Sequence, residues 1–268
     1  MSTKSRVLTL TECSIMIALS TVLSVLKIFE MPYGGSITLA SMLPIVIIAY
    51  RHGTRYGLAS AGVTAVIQML LGLKNFSYFT SPASFIALAV FDYVLAFLVF
   101  GLAGIFKRSI KNQSTSVLTG ALLASVLRYI CHVISGATVW AGLSIPTEAA
   151  LLYSLSYNAT YMLPETIVLV TAATYLASAV DFSRSTPTRS HKTEASAYVP
   201  KTLGALVLVF AVIFDTVKIF EVIQDAESGD FVISNLAYAN WTAVGIVSAI
   251  ATAIFIFLAV YAKKHTAK

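Results

Sequence analysis

Eight apolar runs separated by short polar segments dominate this chain, and that alternation leaves it few ways to fold. The runs are 8–27, 36–50, 55–73, 84–106, 117–139, 154–180, 203–222 and 240–262. A helix that crosses a bilayer takes roughly 20 predominantly apolar residues. In hydrocarbon each backbone N–H and C=O must find its partner within the protein, so such runs become helices. The expected fold is therefore all-α, a multi-pass membrane protein. The run 36–50 is short and carries Pro44, which removes one backbone donor, so it is expected to be tilted, kinked or partly re-entrant. A soluble alternative is excluded by composition: the chain is 57% hydrophobic and 11% charged, whereas a soluble domain carries about 25% charge.

Basic residues set the orientation. Lys4, Arg6, Arg51, Arg55, Lys107, Arg108, Lys111, Arg184, Arg189, Lys192, Lys201, Lys263, Lys264 and Lys268, 14 of the 18, all fall on one side if every run crosses. The opposite segments hold Glu30, Glu148, Glu221, Asp225, Glu227 and Asp230, with Lys27, Lys74 and Lys218 near span ends. Basic loops stay in the cytoplasm, so both termini are expected there. This scatter among short loops also argues against a nucleic-acid surface, despite a net charge of +6. Cys13 and Cys131 lie inside apolar runs and are expected as reduced thiols. The first run has no small-residue cleavage site followed by a soluble domain, so it is expected to be retained as a span. One long polar stretch, rich in Ser, Thr, Arg and Pro, divides the chain into a six-span unit (1–180), a cytoplasmic linker (181–202) and a two-span extension (203–268).

Charges inside spans are costly and mark function by default. Asp92, Arg128, His132 and Glu165 are such residues. At 1.5 Å per residue, Asp92 lies roughly 12 Å, His132 roughly 10 Å and Asn158 about 6 Å beneath the outer surface. Three polar groups from three helices thus converge in the outer half of the membrane, accompanied by Tyr78, Tyr93, Tyr129, Trp140, Tyr153 and Tyr157. A carboxylate, an imidazole, an amide and several rings suit a flat aromatic cation: the rings attract its charge and the carboxylate is its counter-ion. Bland readings stand beside this one. Tyr78 and Tyr153 at span ends also fit an interfacial belt, and Asn158 also fits an interhelical hydrogen bond. Arg128 pairs either with Asp92 or with Glu165; both Arg128 and Glu165 sit near the midplane on consecutive helices, and that pairing would leave Asp92 free for ligand.

No P-loop, zinc-ligand spacing or nucleophile elbow is present, so neither catalysis, nor a metal, nor a cofactor is indicated. ATP-driven uptake would need separate ATPase subunits and a docking face for them. Ser14 and Ala18, four residues apart on the first span, offer small side chains for close helix approach; packing within the chain is the competing use.

Several stretches carry a family resemblance: Met31–Ser36, Arg51–Gly57, Phe91–Phe97 with Gly101–Gly104, Leu127–Gly136, Trp140 and Tyr153–Tyr161. Over about residues 8–180 the chain resembles the thiamine-specific S-components of energy-coupling-factor transporters, also described as proton-coupled thiamine transporters. The resemblance implies a six-helix bundle with two added C-terminal spans, in a bacterial cytoplasmic membrane. It implies high-affinity thiamine binding near the outer surface through Asp92, Tyr93, His132, Gly136, Trp140, Tyr153 and Asn158. Tyr33, in the first outer loop, would be the lid aromatic; Tyr78 joins the expected contacts from its place among the accompanying rings, not from the resemblance. It also implies that Ser14 and Ala18 meet a transmembrane coupling subunit, which works with two ATPase subunits. The chain departs from that pattern in its last two spans and in Glu165, where a neutral residue is expected. A solitary proton-coupled transporter, with Glu165, Arg128 or His132 carrying the proton, is the alternative; a membrane-embedded enzyme would need a nucleophile or metal set that the sequence lacks.

Overall fold

The structure is a computed structural model that describes residues 3–31, 34–141, 143, 147, 150–184, 186–189, 199–223 and 232–266. Tyr33, Glu148, Lys192, Asp225, Glu227, Asp230 and Lys268 lie outside these residues, as does 190–198 of the expected linker. In chain order the described elements are α1 (Thr3–Val25), β1 (Lys27–Glu30), β2 (Ser36–Thr38), α2 (Leu43–His52) and α3 (Thr54–Leu71). They continue with α4 (Pro82–Lys107), α5 (Gln113–Thr138), α6 (Ala150–Ala179), β3 (Val180–Asp181), β4 (Thr188–Arg189), α7 (Val199–Ile223) and α8 (Trp241–Thr266). The all-α membrane architecture holds: α1, α4, α5, α6, α7 and α8 are each long and apolar enough to cross a bilayer.

The run 36–50 departs from a simple span. Ser36–Thr38 pairs as a strand with Lys27–Glu30, Ala40 takes a positive φ of 54°, and the helix begins only at Leu43, with Pro44 in its first turn. Proline fits there because the first helical N–H groups have no intrahelical partner to lose. Ten residues rise about 15 Å, half a bilayer core. This short helix avoids lipid: Pro44 to Tyr50 are all buried, so protein rather than hydrocarbon surrounds most of it.

α2, α3 and α4 meet backbone to backbone. A Cβ added at Gly101 would lie 2.5 Å from Leu58 Cα, and one at Gly57 2.6 Å from the Gly101 carbonyl oxygen. Small residues are the means by which membrane helices gain dispersion contact without a hydrophobic driving force. At the expected cytoplasmic end Glu12 of α1 binds Arg51 through Nε at 2.5 Å and Nη2 at 3.0 Å, and His52 Nε2 at 3.0 Å. Arg51 Nη1 also donates to the Phe182 carbonyl at 3.2 Å. Glu12 is a charge within an apolar run, and these partners are the reason it is tolerated there.

The two added helices stack on the α6 side of the bundle. Pro164 inside α6 has no N–H to offer the Thr160 carbonyl. Thr216 of α7 approaches that carbonyl instead, Oγ1 donating at 3.5 Å, the kind of side-chain repair that lets proline persist in a span. Ile213 of α7 packs against the buried cluster of Met31, Ile37, Tyr161 and Met162. α8 is joined to α7 by Ser248 Oγ donating to Asp215 Oδ2 at 2.5 Å.

Candidate functional site

The backbone of α4 is α-helical over Pro82–Leu88 and widens into a π-turn over Ala89–Leu95. Such single turns with i→i+5 bonding recur at functional sites because they re-aim side chains. Asp92 and Tyr93 sit within this one. Facing it, Arg128, His132 and Gly136 follow at four-residue intervals along one stripe of α5.

Three donors surround the Asp92 carboxylate. His132 Nδ1 lies 2.8 Å from Oδ1, while Ser135 Oγ donates to Oδ2 at 2.7 Å and Trp140 Nε1 donates to Oδ2 at 2.9 Å. Arg128 is not among these donors; the i, i+3 spacing of His132 and Ser135, with Trp140 just past the helix, brings the α5 donors to the carboxylate. Arg128 Nε donates to His132 Nε2 at 3.2 Å. A guanidinium only donates, so Nε2 must accept, and the imidazole proton resides on Nδ1 and points at Asp92. Arg128 Nη1 reaches Glu165 Oε1 at 3.6 Å, and Thr38 Oγ1 donates to the same oxygen at 2.9 Å. One connected series therefore runs from α4 through α5 and α6 to the end of β2.

A cavity of about 460 Å³ opens beside this series, within the ~300–1,000 Å³ usual for small-molecule sites. Asp92, Tyr93, His132, Gly136, Trp140 and Asn158 line it, as do Arg128 and Glu165. So does Tyr157, one of the rings expected beside the polar groups, and so do Ser24, Gln68, Asn75, Thr38, Phe97 and Tyr161, none of them among the predicted contacts. Trp140 is wedged edge-on against Phe79, 4.9 Å between centroids, and the Tyr93 ring stacks on Phe76 at 5.6 Å. The Tyr93 hydroxyl donates to the Gly72 carbonyl at 3.0 Å, so its polar end is held by the end of α3. Asn158 fits both readings given for it: it lines the cavity and its Nδ2 donates across to the His132 carbonyl at 3.3 Å.

Two predicted contacts stand apart. Tyr153 is buried in the apolar core and is not on the described cavity wall. Tyr78 is 39% exposed and meets the Trp140 ring at 5.9 Å. A tyrosine near a span end has the same local sequence whether it faces lipid, core or cavity, so the run alone does not tell which. Tyr33 lies outside the described residues. Ser135 was missed because serine is common in spans and carries no charge; its only signal was its place three residues after His132.

Residues 10–182 match the family described as Thiamine transporter protein (Thia_YuaJ). Thiamine transporter ThiT of Bacillus subtilis (strain 168) is 32% identical over 179 residues, covering 63% of this chain and 89% of that protein. The solved structure of ThiT from Listeria monocytogenes aligns with a TM-score of 0.52 at 24% identity, over 64% of this chain and 94% of that one, and so shares the fold. By the extent of the matched segment, this chain belongs to the thiamine transporter protein family.

Proposed function

We propose that the chain captures thiamine in the cavity beside Asp92 and serves as the substrate-binding subunit of an ATP-driven uptake system. One observation carries this reading: an acidic side chain, surrounded by donors that stabilise its charge, faces a partly aromatic cavity. Thiamine is a thiazolium cation joined through a methylene to an aminopyrimidine. Asp92 supplies the counter-charge in low dielectric, the rings of Trp140 and Tyr157 supply π-faces, and Asn158 and Arg128 offer polar contacts to the pyrimidine edge. The activity is transport rather than catalysis. The test is a titration of the purified chain with thiamine, thiamine monophosphate and the isolated aminopyrimidine. Thiamine should bind far more tightly than the uncharged fragment; equal affinities would mean that the site does not read the cation.

The same proposal sets the chain in the bacterial cytoplasmic membrane with both termini inside, from the distribution of Lys and Arg. It assigns the outward face of α1 to a transmembrane coupling subunit that works with two ATPase subunits. Ser14 and Ala18 are exposed on that face, and among the described residues Ser14 Oγ bonds within its own helix, to Leu10 O at 3.0 Å. Leucine at both positions should leave thiamine binding by the isolated chain unchanged, within about twofold, and lower uptake in cells roughly tenfold by spoiling close helix approach. Undiminished uptake would place the docking face elsewhere.

A further inference from the structure

We propose that Glu165 is a positioning residue that holds Arg128 away from Asp92 and so keeps the cavity selective for a cation; the proposal rests on the thiamine reading for its ligand. Within the buried part of the site the formal charges are Asp92 and Glu165 negative and Arg128 positive, with His132 neutral by its hydrogen-bond pattern. At the mouth Lys27 and Glu30 pair with one another at 2.6 Å and stand 40% and 59% exposed, and Lys74 is exposed, so water screens all three. The interior therefore keeps one net negative charge, which a singly charged cation neutralises.

That balance depends on where Arg128 points. Its Nε is only the width of one imidazole ring from Asp92, because His132 touches both. An arginine in low dielectric seeks an anion, and Asp92 is the next one available. Glu165 engages the guanidinium on the far side at 3.6 Å and is itself held by the Thr38 hydroxyl at 2.9 Å, while the Phe97 ring lies beneath the guanidinium at 4.7 Å. With Glu165 present, Arg128 has an anion of its own and spends Nε–H on His132. This fixes the Nδ1–H tautomer that faces Asp92. Without that charge, Arg128 becomes an internal competitor for the carboxylate that the ligand needs.

Glu165→Gln keeps the shape and an acceptor for Thr38 while removing the charge. The readout is the ratio of affinities for thiamine and for a neutral isostere with carbon in place of the thiazolium nitrogen. That ratio should fall roughly tenfold in E165Q, and R128Q/E165Q, which removes the competitor as well, should recover most of it. Equal weakening of both ligands, or no change in either, would overturn the assignment. A second measurement needs no ligand: ¹⁵N NMR of His132 should show an Nδ1–H tautomer in the wild type that is lost or mixed in E165Q. If the wild type binds neither ligand, the thiamine reading fails on its own, and an unaltered His132 spectrum in E165Q would then refute the role of Glu165 separately.

Discussion

Asp92→Asn is expected to weaken thiamine binding by about 100-fold or more while the protein remains folded. Removing one partner of a buried charge pair costs about 2–5 kcal/mol, and about 1.4 kcal/mol is a factor of ten. The local geometry argues for the upper part of that range. Asp92 accepts from His132, Ser135 and Trp140 at once. An asparagine has one acceptor oxygen, and if that oxygen meets Ser135 and Trp140, its NH₂ group faces the Nδ1–H of His132. The imidazole cannot escape by moving its proton to Nε2, because Arg128 Nε already donates there at 3.2 Å. The variant thus loses the counter-ion and gains a donor–donor conflict in the same place. Calorimetric titration of the purified variant gives the affinity, and thermal unfolding confirms that it is folded. Affinity within about threefold of the wild type would remove Asp92 from cation recognition.

Much of this site was legible because helical rise is constant. Counting along three apolar runs was enough to place Asp92, His132 and Asn158 at similar depth, and all three line one cavity. Depth, however, is only one coordinate. Hydropathy does not report which way a residue faces around its helix when lipid, core and cavity are all low in polarity. Tyr153 and Tyr78 were therefore grouped with the site though neither is on its described wall. The π-turn that aims Asp92 has no sequence signature, since Ala89–Leu95 would serve equally as an α-helix. The strand at Ser36–Thr38 was hidden inside an apolar run for a related reason: Ile37 is buried at 1%, and a short run cannot reveal its period. Charge within the apolar runs is not confined to the residues at the cavity. Glu12 and Asp215 both interrupt apolar runs, and each binds a neighbouring element, Arg51 and His52 in one case and Ser248 in the other.

Gly104→Ala is expected to destabilise the fold by about 2 kcal/mol or more, through overpacking against backbone that cannot turn aside. Alanine adds one methyl group, and the φ at Gly104 is −84°, so no conformational penalty contributes. The obstacle is the C-terminal half of α2. A Cβ there would overlap the Ala49 carbonyl oxygen and stand 2.5 Å from its carbon and 3.1 Å from Tyr50 N. Ala49 is fully buried, and its carbonyl accepts the Gly53 N–H that caps α2, at 3.0 Å. Relief therefore requires α2 and α4 to separate. α2 follows directly from the Thr38–Ser41 turn, in which Thr38 donates to Glu165, so the displacement should reach the ligand cavity as weakened binding too. Gly62→Ala in α3 is the matched control, because its Cβ would meet nothing nearer than Leu98 Cδ1 at 3.8 Å. There, removing an interior helix glycine should stabilise by roughly 0.5–1 kcal/mol. Thermal unfolding of both purified variants decides the matter: the same added methyl should lower the midpoint at 104 by roughly 4 °C or more and leave it level or higher at 62. Similar midpoints for the two would mean that α2 and α4 are not in backbone contact.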